Sequence, residues 1–219
     1  MEHPQSLIDS SQYHNPSSLR DGYFRDPFLP PASYSWAEQV DGKGVFSFCM
    51  CPGGIMAPAA TSPGELVVNG WSPSKRNNPY ANSGIVVSVE EKDITAYKKY
   101  RPLAAMHFQQ TVEQKAFAAG GGKLVAPAQR LIDFTQNKFS ESLPGCSYLP
   151  GVHSVLLKEV LPAFIHQRLQ AAFREFGKKM KGYLTNEAIV GPTRCRGVRP
   201  GRSGVAGPGQ RCAGLRQSN

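Results

Sequence analysis

No apolar run in these 219 residues is long enough to span a bilayer, so a membrane partner is not expected. The first five residues, Met-Glu-His-Pro-Gln, lack the basic and apolar regions of a secretion signal. The five cysteines are odd in number and show no disulfide-framework spacing. Together these absences predict a reducing, cytoplasmic setting. A phosphate loop is missing too. Gly120-Gly121-Gly122 lacks the Gly-x-x-x-x-Gly-Lys-Ser/Thr spacing and follows a helical pattern instead of preceding one. No second Cys or His cluster has a spacing that completes a four-ligand zinc site, so no metal is expected.

Acidic residues are scarce at one end. The net charge is +9, yet residues 191–219 hold six arginines, no lysine and no acid. Removing those six charges leaves +3 for residues 1–190. A nucleic-acid footprint requires a basic patch on a folded face. Here most of the excess sits in a Gly-rich tail with no aromatic residue to stack on a base. The tail has no hydrophobic periodicity and is expected to be disordered. Two origins are compatible with it: a basic interaction arm, or a reading-frame slip near Val190, since out-of-frame GC-rich DNA translates into Arg, Gly, Pro, Ala and Cys. As an alternative function, a basic-tailed nucleic-acid-binding or partner-binding module predicts salt-sensitive affinity abolished by deleting 191–219.

What is present is concentrated in Gly44-Val-Phe-Ser-Phe-Cys-Met-Cys-Pro-Gly-Gly54. Residues i and i+2 of a strand share a face, so Cys49 and Cys51 are expected to point the same way. Gly53 and Gly54 permit a sharp turn or a close approach to a ligand. A redox pair, soft metal ligands and small hydrophobes lining a sheet all remain open for the two cysteines. Ser72-Pro-Ser-Lys-Arg-Asn-Asn-Pro-Tyr80 places Lys75 and Arg76 among hydroxyl and amide groups. Such a loop holds a phosphate or carboxylate, or is an ordinary solvated turn. Tyr80-Ala-Asn-Ser-Gly84, which contains Asn82, reads as turn chemistry leading into a buried strand. His107 and His166 lie beside apolar positions in helical segments and read as structural.

Along the chain, residues 1–31 read as an irregular lead-in with a short helix near 6–13. Residues 34–40 and 45–51 read as a hairpin around Asp41-Gly42-Lys43-Gly44. A strand pair is predicted at 55–60 and 65–69, a loop at 70–84 and a further strand at 85–89. Leu103, Met106, His107, Val112, Ala116 and Phe117 approximate one helical stripe that ends at Gly120. Residues 123–152 read as irregular. Leu157, Leu161, Ile165, Leu169 and Phe176 mark the clearest helix, with Gly177 as its C′ residue and Pro162 kinking it or opening its second half. Strands and helices in separate blocks predict an α+β fold, a mixed or antiparallel sheet with packed helices. The predicted organisation is a lead-in at 1–31, one domain at 32–190 and the tail at 191–219.

Several strings resemble one bacterial family. They are Met1-Glu-His-Pro-Gln5, Phe46-Ser-Phe-Cys-Met-Cys-Pro-Gly-Gly54, Glu65-Leu-Val-Val-Asn-Gly70, Ser72-Pro-Ser-Lys-Arg-Asn77, Tyr80-Ala-Asn-Ser-Gly84, Val112-Glu-Gln-Lys-Ala-Phe117, Ala126-Pro-Ala-Gln-Arg130 and residues 177–190. Together they resemble the FAD-dependent, NAD(FAD)-utilising dehydrogenases over essentially residues 1–190. The resemblance implies a flavoprotein oxidoreductase with FAD as cofactor, NAD(P)H as electron donor and a small-molecule substrate. In that family a Gly-x-Gly-x-x-Gly turn for the FAD pyrophosphate precedes this segment, and no such turn occurs here. The resemblance therefore implies a substrate-side or cap domain that is inactive alone and partners a dinucleotide-binding portion of the same protein. It places Cys49 and Cys51 at the catalytic side and Gly53 and Gly54 near the flavin ring. Lys75, Arg76, Asn77 and Asn82 become cofactor contacts. The family pattern ends where the composition shifts, at Val190, which favours the frame slip or a truncated gene.

Overall fold

The computed structural model describes residues 1–13 and 28–192, apart from the side chains of Phe48 and Cys49. The segment read as an irregular lead-in opens with a strand at the heart of the fold. β1 (Glu2–Pro4) lies between β6 (Tyr80–Val87) and β9 (Ile189–Val190), antiparallel to both. Pro4 lacks an N–H and occupies the last position of the strand, where that loss is tolerated. The chain passes directly into α1 (Gln5–Tyr13), the short helix expected there.

β2 (Ala37–Val40) and β3 (Lys43–Cys51) form the predicted hairpin. Asp41 and Gly42 both have positive φ (48° and 72°), as a two-residue turn matching strand twist requires. β4 (Ile55–Pro58) and β5 (Val68–Trp71) make a separate two-stranded sheet, the second strand starting later than predicted. β6 starts at Tyr80, not at Ile85, so Tyr80-Ala-Asn-Ser-Gly84 is strand and not a turn before one. Small polar residues are paired here because β6 has a neighbour on each side, β3 and β1.

A 3-10 segment spans Glu91–Leu103 and leads into α2 (Ala104–Ala119), which stops at Gly120 as predicted. The buried stripe of α2 is Phe108, Val112, Glu113 and Ala116, and Leu103 and Met106 are exposed. The face is rotated from the predicted one because the 3-10 segment packs along the helix, with Tyr100 stacked on His107. The stretch read as irregular contains β7 (Ala126–Arg130), α3 (Leu131–Gln136) and, beginning at its end, β8 (Val152–Ser154). Pro127 masked β7 in the sequence. Pro162 opens α5 (Ala163–Lys179), leaving α4 (Leu157–Val160) as a separate turn. Gly177 lies inside α5 and is not its C′ residue. Its missing Cβ makes room for Leu184, whose side chain would stand 2.7 Å from one.

Among the described residues the large sheet has seven strands in the order β2-β3-β6-β1-β9-β7-β8. Only the β7–β8 pair is parallel, so the fold is α+β with a mixed sheet. Facing strand partners share a side of the sheet. His3 pairs with Ala81, and Glu2 with Asn82, so the two pairs look opposite ways. The His3 side carries the aromatic core, with Tyr34 and Tyr183 in edge contact and Trp36 stacked on Phe176 of α5. The Glu2 side carries the β4–β5 hairpin. The fold continues past Val190, where the carbonyl of Pro192 accepts a hydrogen bond from the Val68 N–H at 3.3 Å. The remainder of the expected tail, 193–219, lies outside the described residues.

Candidate functional site

The Cys-Pro-Gly-Gly turn is fastened from three directions. The Gln5 side chain, 1% exposed, accepts from the Gly53 N–H at 2.7 Å and donates to Asp9 and to the Ala32 carbonyl. The Ser72 hydroxyl donates to the Pro52 carbonyl at 3.0 Å. Gly54 donates to the Tyr80 carbonyl at 2.9 Å. Gly53 has φ +54°, and the Arg76 carbonyl fills the space a Cβ would need. Arg76 itself adopts a positive φ of 46° to bring it there. A Cβ on Gly54 would meet the Cys51 carbonyl at 2.6 Å, the Trp71 carbonyl at 2.7 Å and the Asn82 amide at 2.9 Å. Both glycines thus admit protein backbone, a packing reason for residue types that the sequence alone equally assigns to ligand approach.

The other predicted residues fall around this corner. Cys51 faces Asn82 in register, and Asn82 faces Glu2 across the next strand. Asn82 is buried, donates to the Ile55 carbonyl at 3.2 Å and lies under Gly70. Lys75, Arg76 and Asn77 are exposed on the loop beside Gly53. The shared-face expectation for Cys49 and Cys51 meets a register shift between Phe48 and Cys51, which interrupts the strand's alternation. The Cys49 side chain lies outside the described residues.

Two residues that sequence reasoning did not select organise the corner. Gln5 is one. Glu2 is the other: its carboxylate accepts from the Ser147 N–H at 2.8 Å and from the Ser147 hydroxyl, which in turn accepts from the Met56 N–H. Burial raises the Glu2 pKa against those hydrogen bonds. The partner of Glu2 is 145 residues away, so no local signal marks it.

Next to Asn82 the hairpin and the sheet line a partly open cavity of about 330 Å³. Met56, Val68, Val86, Ala128, Val152 and Ile189 line it, with Asn69, Gly70 and Tyr148 beside them. The Tyr148 hydroxyl donates to the Leu124 carbonyl at 2.7 Å, and burial pushes its pKa up to about 12.

This arrangement sets a cavity against a fixed polar corner of an α+β domain. A family model described as FAD-dependent protein, C-terminal domain-like, matches residues 1–197, past Val190, and the chain belongs to that family. An uncharacterized protein of Clostridium beijerinckii is 38% identical over 206 residues, which cover 92% of this chain and 37% of that protein. The chain thus spans little more than a third of the length of the relative it matches.

Membership points to FAD. A pyrophosphate cradle needs glycines where a strand turns into a helix, so that backbone N–H groups reach the phosphates. β1 runs straight into α1 at Pro4–Gln5 and β7 into α3 at Arg130–Leu131, and neither junction contains a glycine. Neither junction therefore forms a glycine cradle for the FAD pyrophosphate. Among the described residues no helix is long and apolar enough to cross a membrane, and no three His, Cys, Asp or Glu side chains gather to hold a metal ion.

Proposed function

We infer that this chain forms the substrate-side wall of the flavin site in a longer FAD-dependent oxidoreductase, of dehydrogenase type, with NAD(P)H as electron donor. The observation that carries the reading is the pairing of a family whose name includes FAD with two strand-to-helix junctions that have no glycine. The pyrophosphate is then bound by a dinucleotide-binding portion outside residues 1–219. When bound, the flavin supplies the electron transfer. The chain's own residues orient and exclude water. Gln5 and Arg76 fix the Gly53-Gly54 turn beside the ring. Lys75, Arg76 and Asn77 offer exposed donors to its polar groups. Cys51 and Asn82 form the adjoining edge, with Cys49 assigned to the same edge. The apolar cavity walls keep water from the reacting atoms.

Titrating FAD into the 219-residue chain, and into the protein extended to the length of its relative, tests this reading by flavin fluorescence and absorbance. The extended protein takes up one flavin and the short chain none. A yellow short chain with stoichiometric flavin overturns it.

A further inference from the structure

We propose that the cavity between the β4–β5 hairpin and the large sheet binds an uncharged, largely apolar small molecule with one acceptor oxygen. As the substrate's identity this rests on the flavin-wall reading above; as a binding site it stands on the cavity itself.

A space of about 330 Å³ lies at the lower end of ligand-site sizes and holds on the order of ten heavy atoms. The space has a cause in the sequence: the small residues Gly84, Ala126 and Ala128 stand on its walls. The wall is also held in place from behind. The hairpin is tied to the sheet through Asn82 and Ile55, through Met56, Ser147 and Glu2, and through Val68 and Pro192. Those bonds keep the hairpin from settling onto the strands.

The lining decides the chemistry. Among the described residues, no Asp, Glu, Lys, Arg or His side chain lines it. The Met1 nitrogen donates to the Ser83 carbonyl at 3.1 Å. A carboxylate or phosphate entering here loses its hydration and finds no cation to replace it. One of the two amide N–H groups of Asn82 goes to the Ile55 carbonyl. Asn69, an exposed residue of the lining, accepts from the Gly70 N–H at 3.0 Å through its side-chain oxygen, which leaves its NH₂ to donate. An alcohol, ketone or ether oxygen suits that donor.

Benzyl alcohol and benzoate have similar shapes and differ in charge. Each is titrated into the methyl-labelled 219-residue chain and followed by methyl NMR, with no flavin present. Benzyl alcohol shifts the Met56, Val68, Val86 and Ile189 methyl signals saturably, and benzoate binds at least about tenfold more weakly. Ala128→Leu, or Val152→Phe should the first variant fail to fold, removes the shifts and leaves the Leu169 methyls unmoved. The proposal is overturned if benzyl alcohol leaves the cavity methyls unmoved, if benzoate binds equally well, or if a folded filled variant still binds. Flavin uptake by the extended protein is scored separately. Cavity binding alongside absent flavin uptake removes the flavin reading and retains the site.

Discussion

The carbonyl of Arg76 occupies the place where a side chain on residue 53 would begin. Two loops that are distant in sequence meet there, backbone on backbone, and each takes a left-handed φ to do so, +54° at Gly53 and 46° at Arg76. The contact explains why the Pro-Gly-Gly turn and the Lys-Arg-Asn loop occur together. Each supplies the other's shape.

Gly53→Ala adds an unfavourable left-handed conformation to a backbone clash. It is expected to cost about 3 kcal/mol or more. Gly64 has φ +77° with nothing within 4 Å of a Cβ, so Gly64→Ala costs only about 1 kcal/mol. Urea unfolding midpoints of the two variants compare them directly. Equal losses would show that the Arg76 contact is not what requires glycine.

Gly70 and Asn82 are coupled in the same way, since the Asn82 side-chain oxygen fills the Cβ space of Gly70. Gly70→Ala and Asn82→Ala are each destabilising. The double variant is expected to lose about 1–2 kcal/mol less than the sum, because shortening Asn82 makes room for the new methyl. A double-mutant cycle on urea midpoints measures the difference, and strict additivity would contradict the contact.

His3 is fully buried, and its Nε2 lies 2.9 Å from the Tyr183 carbonyl. A carbonyl only accepts, so Nε2 carries the hydrogen, and Nδ1 is left to accept from the Tyr34 hydroxyl at 3.4 Å. Burial lowers the ring's pKa from 6.5 to about 4 against the pull of that carbonyl. The folded state thus binds the proton less readily than the unfolded chain. The stability is fully present above pH 6.5 and is lost as pH falls toward 4, by about 3 kcal/mol. Glu2, whose pKa burial raises, acts in the opposite sense. The difference between the pH–stability curves of the native chain and His3→Gln isolates the histidine. Parallel curves from pH 7 to 4 would rule it out.

Lys43 is 3% exposed and sits 2.7 Å from both Asp93 and Glu90, tying the start of β3 to the 3-10 segment. Burial pushes the Asp93 carboxyl up, while the Lys43 ammonium and the Glu90 N–H together draw it below its usual value. Lys43→Met leaves Asp93 unpaired at 12% exposure and is expected to cost about 2 kcal/mol. Lys92, 73% exposed, pairs with Glu90 on the surface, so Lys92→Met should move the unfolding midpoint little. Similar midpoints for the two variants would place no special weight on the buried ammonium.

The features legible along the chain were those that neighbouring residues decide alone. Asp41-Gly42 specified the hairpin turn because two adjacent positive φ values exclude most side chains. The apolar spacing of α5 and the glycine stop of α2 were legible for the same reason. β1 and β7 were not. Pro4 and Pro127 argue against strand locally, and only pairing with distant strands overrides them. At the candidate site, Cys51, Gly53, Gly54, Arg76 and Asn82 stood out by residue type, and the fold gathers them into one corner. Gln5 and Glu2 did not, because a buried polar side chain is marked by its partner, and these partners lie 48 and 145 residues away. The cavity is the extreme case. It is empty space left where small residues on separate strands face one another, and short-range order in a chain carries no record of what two remote segments fail to fill.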